Sequence, residues 1–288
     1  MIKWPQTMKL PDPPGPPLWR TYALAMRVLT YFLGIGWMET NVMNKTAPTD
    51  FLRNDWSSPE RRDFHFYRVI SLAEMIFNLQ WVGGFDNLVD DVRTNTQLEP
   101  RFAELEVGKL LHIYGVNFRF IVPQGTKGTD YDIELCMPDG RVALVETECK
   151  IETTAISSRT MKDTLEHARK QLPKDGVGII FVRVPGDWFK VANEWLPNKF
   201  GAETVSKAIQ SFLRNTTRIV SVKAYGTAIH LEDGFGVQLS EIREFDNDRT
   251  GGKWSIFENG PAFGTGPSWV DFISIVSPLP SFTHPTIL

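Results

Sequence analysis

GTDYDIELCMPDGRVALVETECK, residues 128–150, holds two strand-like runs, Tyr131–Met137 and Arg141–Ile151, on either side of Pro138, Asp139 and Gly140. Proline presets a negative φ and glycine tolerates a positive one, so the spacing predicts a hairpin. Side chains two apart on a strand share a face and stand roughly 6 to 7 Å from each other. Glu146, Glu148 and Lys150 therefore project together, and Asp130, Asp132 and Glu134 share a face of the preceding strand. Register decides whether the two rows meet. If the numbers of opposed residues sum to an even value, Asp132 lies across from Glu146 or Glu148; an odd sum separates the acidic rows across the sheet.

Working outward, Glu99–Tyr114 carries Phe102, Leu105, Leu110, Leu111 and Ile113 at helical spacing and ends at Gly115. Asn117–Val122 reads as a strand ahead of the hairpin. After it, Ser157 or Ser158 caps a helix that runs through Gln171, Pro173–Gly176 interrupts the chain, and VGIIFVRV, residues 177–184, reads as a buried strand. The expected order is helix, three strands, helix, strand, an α/β arrangement with its sheet covered on both sides.

The flanks carry less information. Thr21–Leu33 reads as a helix stopped by Gly34 and Gly36, and a second helix starts at Ser57 or Ser58 with Pro59 in its first turn and runs to about Gln80. Beyond Pro185 the pattern predicts a helix over 202–213, strands at Arg218–Tyr225, Thr227–Leu231 and Phe235–Leu239, and a further strand at Trp269–Ile275. Three regions are expected: a helical one over 1–95, a core over 96–190, and an α+β extension over 191–288 packed on that core.

The chemistry follows from the charges. Converging carboxylates raise one another's pKa unless a cation offsets them. Hard oxygen ligands with neither imidazole nor thiolate on that face suit Mg²⁺ or Mn²⁺ better than zinc. The ammonium of Lys150, one step beyond Glu148 on the same face, is placed to hold a water and to offset charge as a phosphate is attacked. Hydrolysis of a phosphodiester is the expected reaction.

Residues 128–150 resemble the motif of the PD-(D/E)xK nuclease superfamily, an aspartate at the start of one strand followed after a hairpin by Glu-x-Lys on the next. Asp132 is the choice for the motif aspartate, with Asp130 left open because no proline precedes either; Glu148 and Lys150 match Glu-x-Lys. The resemblance implies a restriction-endonuclease-like αβββαβ core, with Asp132 and Glu148 as metal ligands, a metal contact from the Cys149 backbone carbonyl, and Asp132, Glu148 and Lys150 as the catalytic set. In the preceding ELEVGKLLHIYG, the family's helical glutamate matches Glu104 better than Glu106, and Glu146 and Gln171 are further candidates near the site. The likeness covers roughly a third of the chain.

The function classes excluded are as informative. With 31 Lys and Arg against 34 Asp and Glu, the net charge of -3 lacks the basic excess of a protein that coats nucleic acid, so any such contact is local. Lys127, Arg159 and Lys162, with Arg169 and Lys170, bracket the motif as candidate phosphate contacts. The two cysteines form no CxxC pair, and neither HExxH nor a P-loop occurs. Trp188, Phe189 and Trp195 read as core aromatics in preference to base-stacking platforms. The apolar stretch Tyr22–Met38 is short and carries Arg27, which favours a packed helix over a membrane span, and PDPPGPP after the first ten residues does not read as a secretory leader. A cytoplasmic nuclease acting on DNA is expected, with RNA and a homodimer left open. The rival reading is a noncatalytic nuclease-like module that binds nucleic acid or a protein.

Overall fold

The computed structural model describes residues 17–46, 51–54, 57–95, 97–122, 125–126, 128–136, 140–151, 154–155, 157–191, 194–195, 203–232, 235–250 and 268–276. The chain divides into two compact units, one of residues 1–80 with 269–288 and the other of residues 81–268. The division therefore falls elsewhere than at residues 95 and 190, because the segment after 268 returns to the N-terminal helices.

In the first unit, Pro17–Leu33 (α1) packs on Pro59–Leu79 (α3). Ala25, Val28, Leu29 and Phe32 of α1 are fully buried, at the one-turn spacing that makes a stripe, and Phe66, Val69, Ala73 and Ile76 supply the matching stripe on α3. Gly34, at φ 90°, ends α1; Ile35–Met38 (α2) and the π-turn Glu39–Met43 follow. Ser58 caps α3 by accepting the Arg61 amide, an interaction worth about 1 kcal/mol. Trp269–Ile275, expected as a strand, instead contains the short helix Phe272–Val276 (α8). Asp271 caps its first turn, accepting the Ile273 amide at 2.8 Å and the Ser274 hydroxyl at 3.1 Å. Asn78 Oδ1 accepts the Val270 amide and Glu74 Oε1 the Phe272 amide, fixing this returning segment to α3.

The second unit is α/β. Phe85–Thr94 (α4) and Leu98–Ile113 (α5) precede Asn117–Phe120 (β1), Ile133–Cys136 (β2) and Val142–Cys149 (β3). Ser158–Gln171 (α6) and Gly178–Arg183 (β4) come next, then the two-residue strands Lys190–Val191 (β5) and Glu194–Trp195 (β6), which pair only with each other. Glu203–Arg214 (α7), Ile219–Glu232 (β7) and Phe235–Asp246 (β8) complete it. The six-stranded mixed sheet runs β1-β2-β3-β4-β7-β8, parallel from β3 through β7 and antiparallel at both edges. Arg218–Tyr225 and Thr227–Leu231, read separately from sequence, are one strand, since Gly226 keeps its place opposite Glu241.

Every residue of β4 is buried, as a parallel strand covered on both faces requires. One cover is α6 with α7: Met161, Leu165 and Ala168 meet Ile180, Val182, Val222, Ile209 and Phe212 in one cluster. The other is α5, where the Tyr225 hydroxyl donates to the Ala103 carbonyl at 3.0 Å. Gly84, at φ 79°, lets the chain pass against β1; a Cβ there would lie 2.0 Å from the Phe120 carbonyl oxygen, while the Phe120 amide donates to Gly83.

Candidate functional site

The β2–β3 ladder pairs Ile133 with Val145, Glu134 with Leu144 and Leu135 with Ala143. Each sum is 278, the even register that sets Asp132 across from Glu146. The turn itself, residues 137–139, lies outside the described residues, as does Lys127.

Regular pairing stops at Ile133, and Asp132 takes over. Its amide donates to the Val145 carbonyl at 2.9 Å, its carbonyl accepts the Ile121 amide at 2.8 Å, and its Oδ2 accepts the Thr147 amide at 2.7 Å. A carboxylate thus stands where a backbone acceptor would be. Burial pushes the Asp132 pKa up to about 7, against the opposing pull of the Thr147 amide and Arg101, with the Glu148 charge raising it further.

Three more carboxyls share this environment. Glu104, on α5, is 5% exposed; its pKa stands well above the ordinary range, through burial first and then the Asp132 charge, although Arg101 pairs with it. Glu146 is 7% exposed, and burial followed by Asp132, Glu148 and Glu104 pushes it up to about 11. Its Oε2 is buried without a hydrogen-bond partner. Glu148 is half-buried, with Oε1 2.7 Å from His167 Nδ1 on α6. Arg101 bridges Asp91 of α4 and Glu104; burial opposes its charge, but Glu104, Asp91 and Asp132 outweigh that. Lys150, half-buried just past β3, is tied through its amide to the Arg183 carbonyl at 2.9 Å.

Not every candidate from the sequence belongs to this group. Asp130 is half-buried, as is Asp132, and it is Asp132 whose carboxylate is held on β3 by the Thr147 amide. Glu106 lies two residues beyond Glu104, about 200° further round the helix. It points elsewhere and pairs with Arg183 at 2.8 Å. The Cys149 side chain faces the same side, its sulfur 4.0 Å from Arg183 Nη1, and burial raises its thiol pKa to about 11; this bears on the thiol and not on the backbone carbonyl expected to reach a metal. Gln171 closes α6 and, among the described residues, makes no hydrogen bond to the carboxyls. Arg159 and Lys162 are exposed on α6, Arg159 within 3.8 Å of Asp163. Trp188 is core, 3% exposed, with Nε1 donating to the Thr154 carbonyl, and the side chains of Phe189 and Trp195 lie outside the described set.

His167 belongs to no motif in the sequence. The buried stripe Met161, Leu165, Ala168 and Leu172 was the signal available, because it puts position 167 at its edge.

The donor set fits a hard divalent cation by chemistry: carboxylate oxygens, an unpartnered buried Oε2, and more anion than Arg101 alone offsets. Among the described residues, however, no three His, Cys, Asp or Glu side chains converge closely enough to enclose an ion as they stand. The molecule is thus an α/β protein with a carboxylate-rich, largely buried cluster where the start of β2 meets β3. Compared with known proteins, the chain matches no family model, no curated protein and no solved structure.

Proposed function

We propose that this protein is a Mg²⁺- or Mn²⁺-dependent nuclease that hydrolyses phosphodiester bonds in DNA. The observation that carries the reading is the group of buried Glu104 and Glu146 with half-buried Asp132 and Glu148, the Glu146 Oε2 unpartnered and Lys150 next along the same strand face. The order α5-β1-β2-β3-α6-β4 supports it, since this is the order of the restriction-endonuclease-like core whose motif residues 128–150 resemble.

In this reading Asp132 and Glu148 hold the ion, with Glu104 and Glu146 adding charge around it. When bound, such a cation polarises phosphoryl oxygens and makes water a stronger acid. Lys150 donates a hydrogen bond from Nζ to the attacking water and offsets charge on the phosphate. The Thr147 amide holds Asp132 in place throughout. Exposed Arg159 and Lys162 supply phosphate contacts at the rim.

The test is cleavage of supercoiled, linear and single-stranded DNA with Mg²⁺ or Mn²⁺ by the full chain and by Lys150→Ala and Asp132→Asn. Both variants should fold and lose at least about a hundredfold in rate. Wild-type rates in Lys150→Ala would dismiss its assigned role.

A second reading has its own support. Arg101 enters the carboxyl group and partly neutralises it, which suits a noncatalytic nuclease-like module that keeps the fold without the ion. Mn²⁺ titration separates the two: a bound ion at a hundred times its Kd raises stability by about 2.7 kcal/mol, whereas the second reading expects no change.

A further inference from the structure

The side chain that reaches the carboxyl group from α6 is His167. Its Nδ1 lies 2.7 Å from Glu148 Oε1 although the two residues are 19 apart in sequence. The imidazole is 64% exposed and the Glu148 side chain 15%, so the contact is made at the boundary of the carboxyl cluster. Two neighbours on α6 that carry charge are engaged elsewhere: Asp163 faces Arg159, and Glu166 pairs with Arg169.

The helix that presents His167 has little freedom to roll. Met161, Leu165 and Ala168 are fully buried and Leu172 is 2% exposed, all in one cluster with Ile180 and Val182 of β4. Ser157 Oγ accepts the Thr160 amide and fixes where the helix starts. Val182 lies beside Glu148 in the parallel register, so the surface that seats α6 adjoins the residue that His167 touches.

We infer that His167 is a positioning residue for Glu148. An ionised carboxylate only accepts hydrogen bonds, so Nδ1 carries the proton and donates it to Oε1. With that oxygen held, the carboxylate loses its rotational freedom and Oε2 remains for a ligand. A carboxylate with both oxygens unheld would have to be ordered each time an ion binds. Groups that hold metal ligands in this way commonly change affinity by about 10- to 100-fold when removed. The inference rests on the divalent-cation reading of the carboxyl cluster.

The experiment measures Mn²⁺ affinity by titration calorimetry, with the metal-free melting temperature alongside, for the full chain and for His167→Ala and His167→Asn. Position 167 is an exposed helical site where alanine is well tolerated, so the metal-free melting temperatures should agree. His167→Ala should weaken Mn²⁺ binding by about tenfold or more. Asparagine carries an N–H donor close to the place of Nδ1 and should restore most of that loss. Equal affinities in wild type and His167→Ala would overturn the positioning role while leaving the cation reading intact. Equal weakening in both variants would overturn the hydrogen bond as its cause. A wild type that binds no Mn²⁺ would remove the cation reading, and this inference with it.

Discussion

Arg183 and Glu146 lie on neighbouring strands of one sheet and point to opposite faces, and the two faces treat buried charge differently. On the face of Arg183, cations are matched. Arg183 is 4% exposed and pairs with Glu106, while Lys223, fully buried, pairs with Glu244 across the β7–β8 ladder and donates to Ser221 Oγ at 3.2 Å. Around Glu146 and Glu148 the carboxyls of Glu104 and Asp132 gather with Arg101 and His167 as counterparts, and Glu146 Oε2 is buried without a hydrogen-bond partner, although Glu134 further along the same face pairs with Arg119. A fold selected for stability alone would match both faces alike. The mismatch teaches where to look for a ligand, since polar groups left unsatisfied in a well-packed interior cost free energy that function must justify.

The largest effect should come from unbalancing the matched face. Arg183→Met leaves Glu106 in the interior without its counterion and should cost about 3 to 5 kcal/mol in urea denaturation. A loss below about 1 kcal/mol would make the two faces energetically equivalent and break the comparison. The opposite sign is expected across the sheet: Glu146→Met removes an unpartnered carboxyl and should stabilise the cation-free protein by about 1 to 3 kcal/mol near pH 8, while weakening Mn²⁺ binding.

The same contrast should appear against pH. Asp132 releases its proton near 7 in the folded chain and near 3.8 in the unfolded one, so the folded state binds the extra proton between those values. Stability without divalent cations is therefore fully present below about pH 4 and falls as pH rises to about 7, and Glu146, raised to about 11, extends the decline. Thermal melts from pH 4 to 9 should show this slope, reduced in Asp132→Asn and reduced by saturating Mn²⁺, whose binding strengthens as the carboxyls ionise. A flat profile would remove the electrostatic excess on which the comparison depends. The smallest effects belong to the rim. Arg159→Ala and Lys162→Ala should each change stability by less than about 0.5 kcal/mol and lower the salt dependence of DNA binding by about one ion.

What the sequence disclosed, it disclosed through period and parity. The alternation in VETECK and the two acidic rows required only an even register to bring Asp132 to Glu146, and the order of helix, three strands, helix and strand followed from turn residues and apolar runs. What stayed hidden depends on azimuth and return. Whether Glu104 or Glu106 joins the carboxyl cluster turns on how α5 is rotated, and that is set by packing across the sheet. His167 meets Glu148 because a buried stripe on α6 fixes its edge, an outcome of tertiary packing. The short helix at Phe272–Val276 read as a strand from its β-branched and aromatic residues, yet Asp271 capped the first turn and overrode that preference. The return of this segment to Asn78 spans 192 residues, beyond the reach of any local pattern.

Asp132 also acts as a hinge pin in the hydrogen-bond ladder. Because its carboxylate, and no carbonyl, receives the Thr147 amide, whatever draws that carboxylate away also loosens β3 at the residue between Glu146 and Glu148. Occupancy of the carboxyl cluster is in this way written into the backbone, and solvent exchange of a single amide proton at Thr147 becomes its reporter.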